Sequence, residues 1–281
     1  MKAFLILIFL VVGGGMLAVD VTVHLQRQTT SMNLTDVVMS SFCATEEFSA
    51  KNALISVGTG ELLNLSVVNH DTVVHTLTID GILESGNDLQ PGETVAFELT
   101  FNDEGSYRFY SESPMGGLLG ASGMILVGFE DHPRYFWNLF DLQTDLTFQL
   151  SDGLTDVIPT DYQPDLFFIN GAHYPNTIND PNTYVQESVG EQIIIAIANG
   201  GNMDHILHFH GYHVEILQSH LQGDRVGWIK DSIPVKAGDA LTVMLTPDKP
   251  GEYPVHDHNL ITVTNAGFYP GGMITYLNIT E

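Results

Sequence analysis

Among its 281 residues the chain has a single cysteine, Cys43. One thiol closes no intrachain disulfide, and its isolation also leaves out zinc fingers, iron–sulfur clusters and dithiol redox pairs. Basic residues are nearly as scarce: nine Lys and Arg stand against 34 Asp and Glu, a formal charge of −25. Such a surface repels nucleic acid and anionic membrane, and it reads as a solubilising coat. Long apolar runs are missing except at the start, where "MKAFLILIFLVVGGGMLAVD" sets Lys2 before an apolar stretch and small residues before Asp20. That is the layout of an export signal or an N-terminal anchor in residues 1–19, and it predicts a periplasmic or extracellular protein.

Amphipathic helices of any length are missing too. In their place are short segments rich in Val, Ile, Leu, Thr and Phe, among them "ELLNLSVVN", "ETVAFELTF", "SYRFYSE", "GMILVGF", "EQIIIAIAN", "ALTVMLTP" and "GMITYLNI", separated by Gly, Pro, Asn and Asp. These read as strands and turns, so the expected fold class is all-β, built as sandwiches or barrels. The strands also repeat. "GELLNLSVVNHDTVVHTLTIDG" (60–81) overlays "GEQIIIAIANGGNMDHILHFHG" (190–211) at an offset of 130. "GETVAFELTFNDEGSYRFYSE" (92–112) overlays "GDALTVMLTPDKPGEYPVHDH" (238–258) at an offset of 146. Each half further shows a Gly-Met strand start, at Met124 and Met273. The duplication predicts two homologous β-domains, residues 20–135 and 136–281, joined through "FEDHPRYFWNLFDLQ" (129–143).

Six of the twelve histidines lie at 205, 208, 210, 213, 256 and 258, in "HILHFHGYH" and "HDH". Side chains alternate along a strand, so His208 and His210 share one face while His205 joins Leu207 and Phe209 on the apolar one. By the same rule His256 and His258 share a face and Asp257 points away. If the two strands are neighbours, four imidazoles converge outside while His205 and Asp257 meet inside. A repeated His-x-His on two strands signals a metal, and all-imidazole ligation suits copper, zinc, iron or nickel, with copper first in affinity. Hard cations such as calcium or magnesium want oxygen ligands and fit poorly. The other histidines lack a paired spacing. His75 alone reads as a buried side chain that finds a hydrogen-bond partner.

"HILHFHG" followed by "GEYPVHDHNLITVTNAGFYPGGM" resembles the last cupredoxin domain of multicopper oxidases, whose pattern is His-x-x-His-x-His-Gly and later His-Cys-His ahead of a Met. "GEYPVHDHNLI" is also similar to the second domain of copper nitrite reductases. The resemblance implies two tandem cupredoxin-like Greek-key domains. It makes His208, His210, His256 and His258 ligands of catalytic type 2 and type 3 copper, and His205 the counterpart of a type 1 ligand. The type 1 cysteine position, however, holds Asp257, and a carboxylate cannot supply the soft Cu–S bond of a blue copper relay. In the first domain the overlay puts His75 at the His205 position and Ser111 at the Asp257 position. Thr78, Asp80, Tyr110 and Glu112 fall at the four outer histidines. Met124 and Met273 match the axial Met, where without a thiolate they pack the core.

Three functions follow for comparison. The first is an exported copper oxidoreductase without type 1 copper, taking electrons from a small reductant and passing them to dioxygen, a peroxide or a nitrogen oxide. In it Asp80 or Glu112 serves as proton donor or extra ligand. The second is a non-catalytic copper-binding or sequestration protein on a decayed oxidase scaffold. The third, zinc hydrolysis, has no specific support in the spacing. The resemblance further implies a homotrimer in which domain 2 of one subunit packs on domain 1 of the next, closing the metal site between chains.

Overall fold

The computed structural model describes residues 18–32, 35–84, 86–153 and 162–281. The expected signal or anchor lies outside these residues except for Ala18 and Val19, which open the first strand, Ala18–Met32. Both domains are β-sandwiches of the cupredoxin kind. In the first, the strands Thr35–Cys43, Ala18–Met32, Leu62–Asn69 and Thr94–Thr100 form one sheet, and Leu54–Val57, Ser122–Val127, Gly105–Tyr110 and Thr78–Ile79 form the other. Strand Leu62–Asn69 shows why: Leu63, Leu65 and Val67 alternate into a core with Val23, Leu25, Ile125 and Phe109, and the residues between them stay half-exposed.

The second domain repeats the plan with more strands. Leu166–Ile169, Arg134–Leu142, Ile193–Asn199, Ala240–Leu245, Val214–Ser219 and Ile229–Lys230 make one sheet. Val185–Ser188, Ile274–Thr280, Gly251–Asp257, His205–Phe209 and Ser232–Val235 make the other. The duplication holds residue by residue in the hydrogen-bonded register. Leu63 opposes Leu99 as Ile193 opposes Leu245, and Thr78 opposes Tyr110 as His208 opposes His256.

Two expectations need correction. The segment 129–143 is not a connector: Arg134–Leu142 is a strand parallel to Ile193–Asn199, with Tyr135 opposite Ile195, so the second domain's sheet already begins at Arg134. It hid because it is buried on both faces and therefore lacks the polar–apolar alternation that marks a half-exposed strand. The Gly-Met starts are likewise not equivalent. Tyr110 opposes Ser122 and His256 opposes Ile274, so in register Met124 corresponds to Tyr276 and Met273 to Ala121.

The domains pack on each other. Met124 and Leu126 of the first meet Phe136, Ile194, Ala196, Ala198 and Ala240 of the second, and Ser106 Oγ lies 2.8 Å from Thr242 Oγ1. This contact explains why "IIIAIA" is apolar without interruption: one face fills its own core and the other its neighbour domain's. The sheet carrying His208 and His256 is not the one used, which leaves that sheet's outer face open.

Candidate metal centre

Strand His205–Phe209 turns His205, Leu207 and Phe209 into the core and His208 outward, with His210 following on the same side. Beside it, strand Gly251–Asp257 turns Val255 and Asp257 inward and His256 outward, and His258 lies exposed just past its end. His208 sits directly opposite His256, and the backbone N–H of His258 donates to the carbonyl of Ile206 at 2.7 Å. The four outer imidazoles therefore gather on one patch. His208 lies 4.6 Å from His210, 5.9 Å from His256 and 5.6 Å from His258, centroid to centroid.

The shortest approach is between His210 Nε2 and His256 Nε2, 3.0 Å apart. His256 Nδ1 is 2.8 Å from the carbonyl oxygen of Asp257, a contact in which the ring nitrogen donates its N–H. Burial, then the neighbouring His208 and His256, holds His210 below the ordinary histidine pKa. His208 is oriented by Ser232, whose Oγ is 2.8 Å from Nδ1. Two nitrogens bound cis to one ion at about 2.0–2.1 Å sit about 2.9 Å apart, so the His210–His256 spacing suits a shared metal. Among the described residues, however, no three His, Cys, Asp or Glu side chains are placed to hold one ion within a single chain.

A cleft of about 390 Å³ opens onto this pair, walled by Tyr174, Tyr269, Tyr276 and Ile274 beside His210 and His256. Around it Leu260, Phe268 and Tyr269 are 73, 65 and 75% exposed, an unusual concentration of apolar surface at one rim.

On the inner side of the strands is a charged cluster. His205 Nδ1 is 2.6 Å from Asp257 Oδ2, and His205 Nε2 is 3.4 Å from Asp141 Oδ2, an ion-pair contact longer than a good hydrogen bond. All three side chains are buried. Asp257 also accepts from the backbone N–H of Ile206 and Asn259, and Asp141 from those of Asn202 and Met203 and from the Tyr162 hydroxyl. Burial opposes charge on His205, but Asp141 and Asp257 outweigh it and push the pKa up to about 9. Burial would raise Asp257, yet the bond from His205 and its charge hold it below the usual carboxylate range. Burial and then Asp141 push Tyr162 well above the ordinary phenol.

Domain 1 carries the same device with its charges exchanged. His75, fully buried, has Nε2 2.9 Å from Asp71 Oδ2 and Nδ1 3.3 Å from Ser111 Oγ, and Arg27 bridges to Asp71 at 3.0 Å. The first strands overlay at an offset of 114, from Leu25 opposite Asn69 and Leu139 opposite Asn199, which sets Arg27 on Asp141. Asp71 in turn falls on Gly201, where an added Cβ would lie 2.0 Å from Asp141 Oδ2. The loop supplies the carboxylate in one domain and the strand supplies it in the other. Sequence reasoning missed Asp141 and Arg27, although the register of the first strands would have paired them.

The remaining candidates lie apart from the histidines. Asp80 is ion-paired to Arg108 at 3.1 Å, and Arg108 in turn stacks 3.8 Å over the Tyr110 ring. Thr78 is buried, and Glu112 is exposed with its backbone N–H donating to Thr76 Oγ1. Within one chain Asp80 and Glu112 lie just past the ends of the domain 1 strands Thr78–Ile79 and Gly105–Tyr110 and are not brought to the histidine patch. His213 is exposed on the outside of the second domain.

The charged cluster carries a pH dependence. His205 has a folded-state pKa raised from about 6.5 to about 9, so its contribution is complete below pH 6.5 and is lost as pH rises through 9. Asp257 acts at the other end, its contribution being lost as pH falls through its depressed value. Denaturant titration of the metal-free protein should therefore show stability falling on the order of 3 kcal/mol between pH 6.5 and 9.5. A flat profile there would remove the charge from His205.

Residues 147–270 match the family model described as multicopper oxidase. No match is found among curated proteins. Among solved structures, the blue copper oxidase from Nitrosomonas europaea superposes with a TM-score of 0.74 and 20% identity, covering 93% of this chain and 86% of that one. The copper nitrite reductase from Nitrosomonas europaea gives a TM-score of 0.70 and 17% identity over 94% of each chain. The multicopper oxidase mgLAC gives 0.74 and 18% over 94% and 86%. At these identities the likeness establishes the fold.

Proposed function

We propose that this chain, a two-domain cupredoxin protein with a second domain of the multicopper-oxidase type, is an exported copper oxidoreductase working without a type 1 relay. The observation that carries the reading is the His210–His256 pair, with Nε2 atoms 3.0 Å apart at the head of an open cleft. Copper there would supply one-electron redox chemistry and Lewis acidity. The protein's own share is positional. Ser232 fixes His208, the Asp257 carbonyl fixes His256, and Tyr174, Tyr269 and Tyr276 wall the approach. Both type 1 positions are filled by hydrogen-bonded side chains, His205–Asp257 and His75–Ser111. With both type 1 positions so filled, a small reductant bound in the cleft would have to supply electrons directly, and dioxygen or a nitrogen oxide would be the acceptor.

A half-site needs a second half. The exposed apolar rim and the missing third ligand favour closure by domain 1 of another copy, in a head-to-tail ring of three. Asp80 and Glu112 of the neighbour would then meet the histidines as proton donor or extra ligand. The same missing ligand favours a second reading, a copper-holding protein without turnover, if the chain stays monomeric. Light scattering on residues 18–281 separates the two: a trimer that consumes dioxygen or nitrite with a small reductant supports the enzyme. A monomer with full copper content and no turnover supports the holding protein.

A further inference from the structure

Two histidines that the sequence leaves scattered meet on domain 1. His24 Nδ1 lies 2.9 Å from His70 Nε2, with the rings stacked at 5.2 Å and 28°. The outward alternation of the first strand, between inward Val23 and Leu25, presents His24. His70 follows the strand Leu62–Asn69 and is pinned there. Its backbone N–H donates to the Leu25 carbonyl at 2.9 Å, and the Asn69 side chain binds the turn beyond it through the Asp71 N–H and the Val73 and Leu89 carbonyls. The pair is thus built by two neighbouring strands and a hydrogen-bonded turn.

We propose that His24 and His70 form a second binding site for a borderline cation such as Cu(II) or Zn(II), separate from the histidine patch of domain 2. The 2.9 Å spacing is that of two nitrogens bound cis at about 2.0–2.1 Å. The site is open enough for water to complete the coordination, His70 being exposed and His24 partly so. Glu46 is the nearby charge, acting on His24 in the sense that favours a cation. Burial and then His70 hold His24 below the ordinary histidine pKa. The pair is not a vestige of the duplication. At the same offsets its counterparts in domain 2 are Asn138 and Gly200, both in the domain interface and neither a metal ligand of this kind.

The test uses the full chain and does not depend on the domain 2 site. Metal-free protein is titrated with Zn(II), the histidines are modified with diethyl pyrocarbonate, and the modified positions are read by peptide mass spectrometry. Protection of both His24 and His70 at stoichiometric zinc is expected, and it should persist when His210 and His256 are both replaced by alanine. In that same background, His24→Ala or His70→Gln should lower the number of Cu(II) ions bound by one per chain, with an unchanged circular dichroism spectrum. Modification of His24 and His70 that zinc leaves unchanged, or copper stoichiometry equal with and without either substitution, would show a hydrogen-bonded pair only and overturn the proposal. A variant that lost its spectrum would leave the protection experiment on the unmodified pair to decide.

Discussion

His256→Ala and His210→Ala are each expected to weaken copper binding at the domain 2 patch by at least about 100-fold, because each removes one of the two nitrogens that meet at 3.0 Å. His208→Ala and His258→Ala should act in the same direction, since their rings crowd the same patch. His75→Ala is the control: it is buried in the other domain, tied to Asp71 and Ser111, and should leave copper content unchanged. Metal analysis after dialysis against a weak chelator reads all five. Equal copper content across them would remove the metal from this face.

The second large effect concerns stability. Among the described residues His205 is the only cationic group in contact with Asp141 and Asp257, and all three are fully buried. His205→Ala leaves two carboxylates facing each other without their counter-charge, a change that costs about 3–5 kcal/mol. In domain 1 the outcome differs, since Asp71 keeps Arg27 when His75 is removed. His75→Ala should cost about 1–3 kcal/mol, the penalty of an unsatisfied buried partner. Urea titration of the two variants at pH 6.5 measures the difference. A smaller loss for His205→Ala than for His75→Ala would contradict the account of the charged cluster.

Much of this was legible in the sequence, and the reasons are specific. Period-two alternation separated His208 and His210 from His205, and His256 and His258 from Asp257. The gap-free repeats carried the pairing register, so that His208 opposite His256 mirrors Thr78 opposite Tyr110. What escaped were features that leave no local mark. Arg134–Leu142 is buried on both sides and shows no alternation, so its Asp141 looked like a polar residue in a connector. The domain contact uses the second face of "IIIAIA", which in one dimension resembles any core strand. His24 and His70 are 46 residues apart, and only the parallel pairing of their strands unites them. The two Gly-Met motifs misled in the opposite way, since a shared dipeptide suggested an equivalence that the register denies.

The central claim is that copper sits among the outer histidines of domain 2 while the type 1 positions carry ion pairs and hydrogen bonds instead. Optical absorption and electron paramagnetic resonance of the copper-loaded full chain, compared with His256→Ala, test it together. The account predicts a nitrogen-coordinated copper signal whose domain 2 component is lost in His256→Ala, leaving only the copper held at His24 and His70, and no intense blue thiolate-to-copper band in either protein. Cys43, the one thiol, is buried, stands across from His24 in the pairing of the first two strands, and has its sulfur against Ser41 and Ser49. An intense blue band, or a copper signal that survives His256→Ala unchanged, would contradict it.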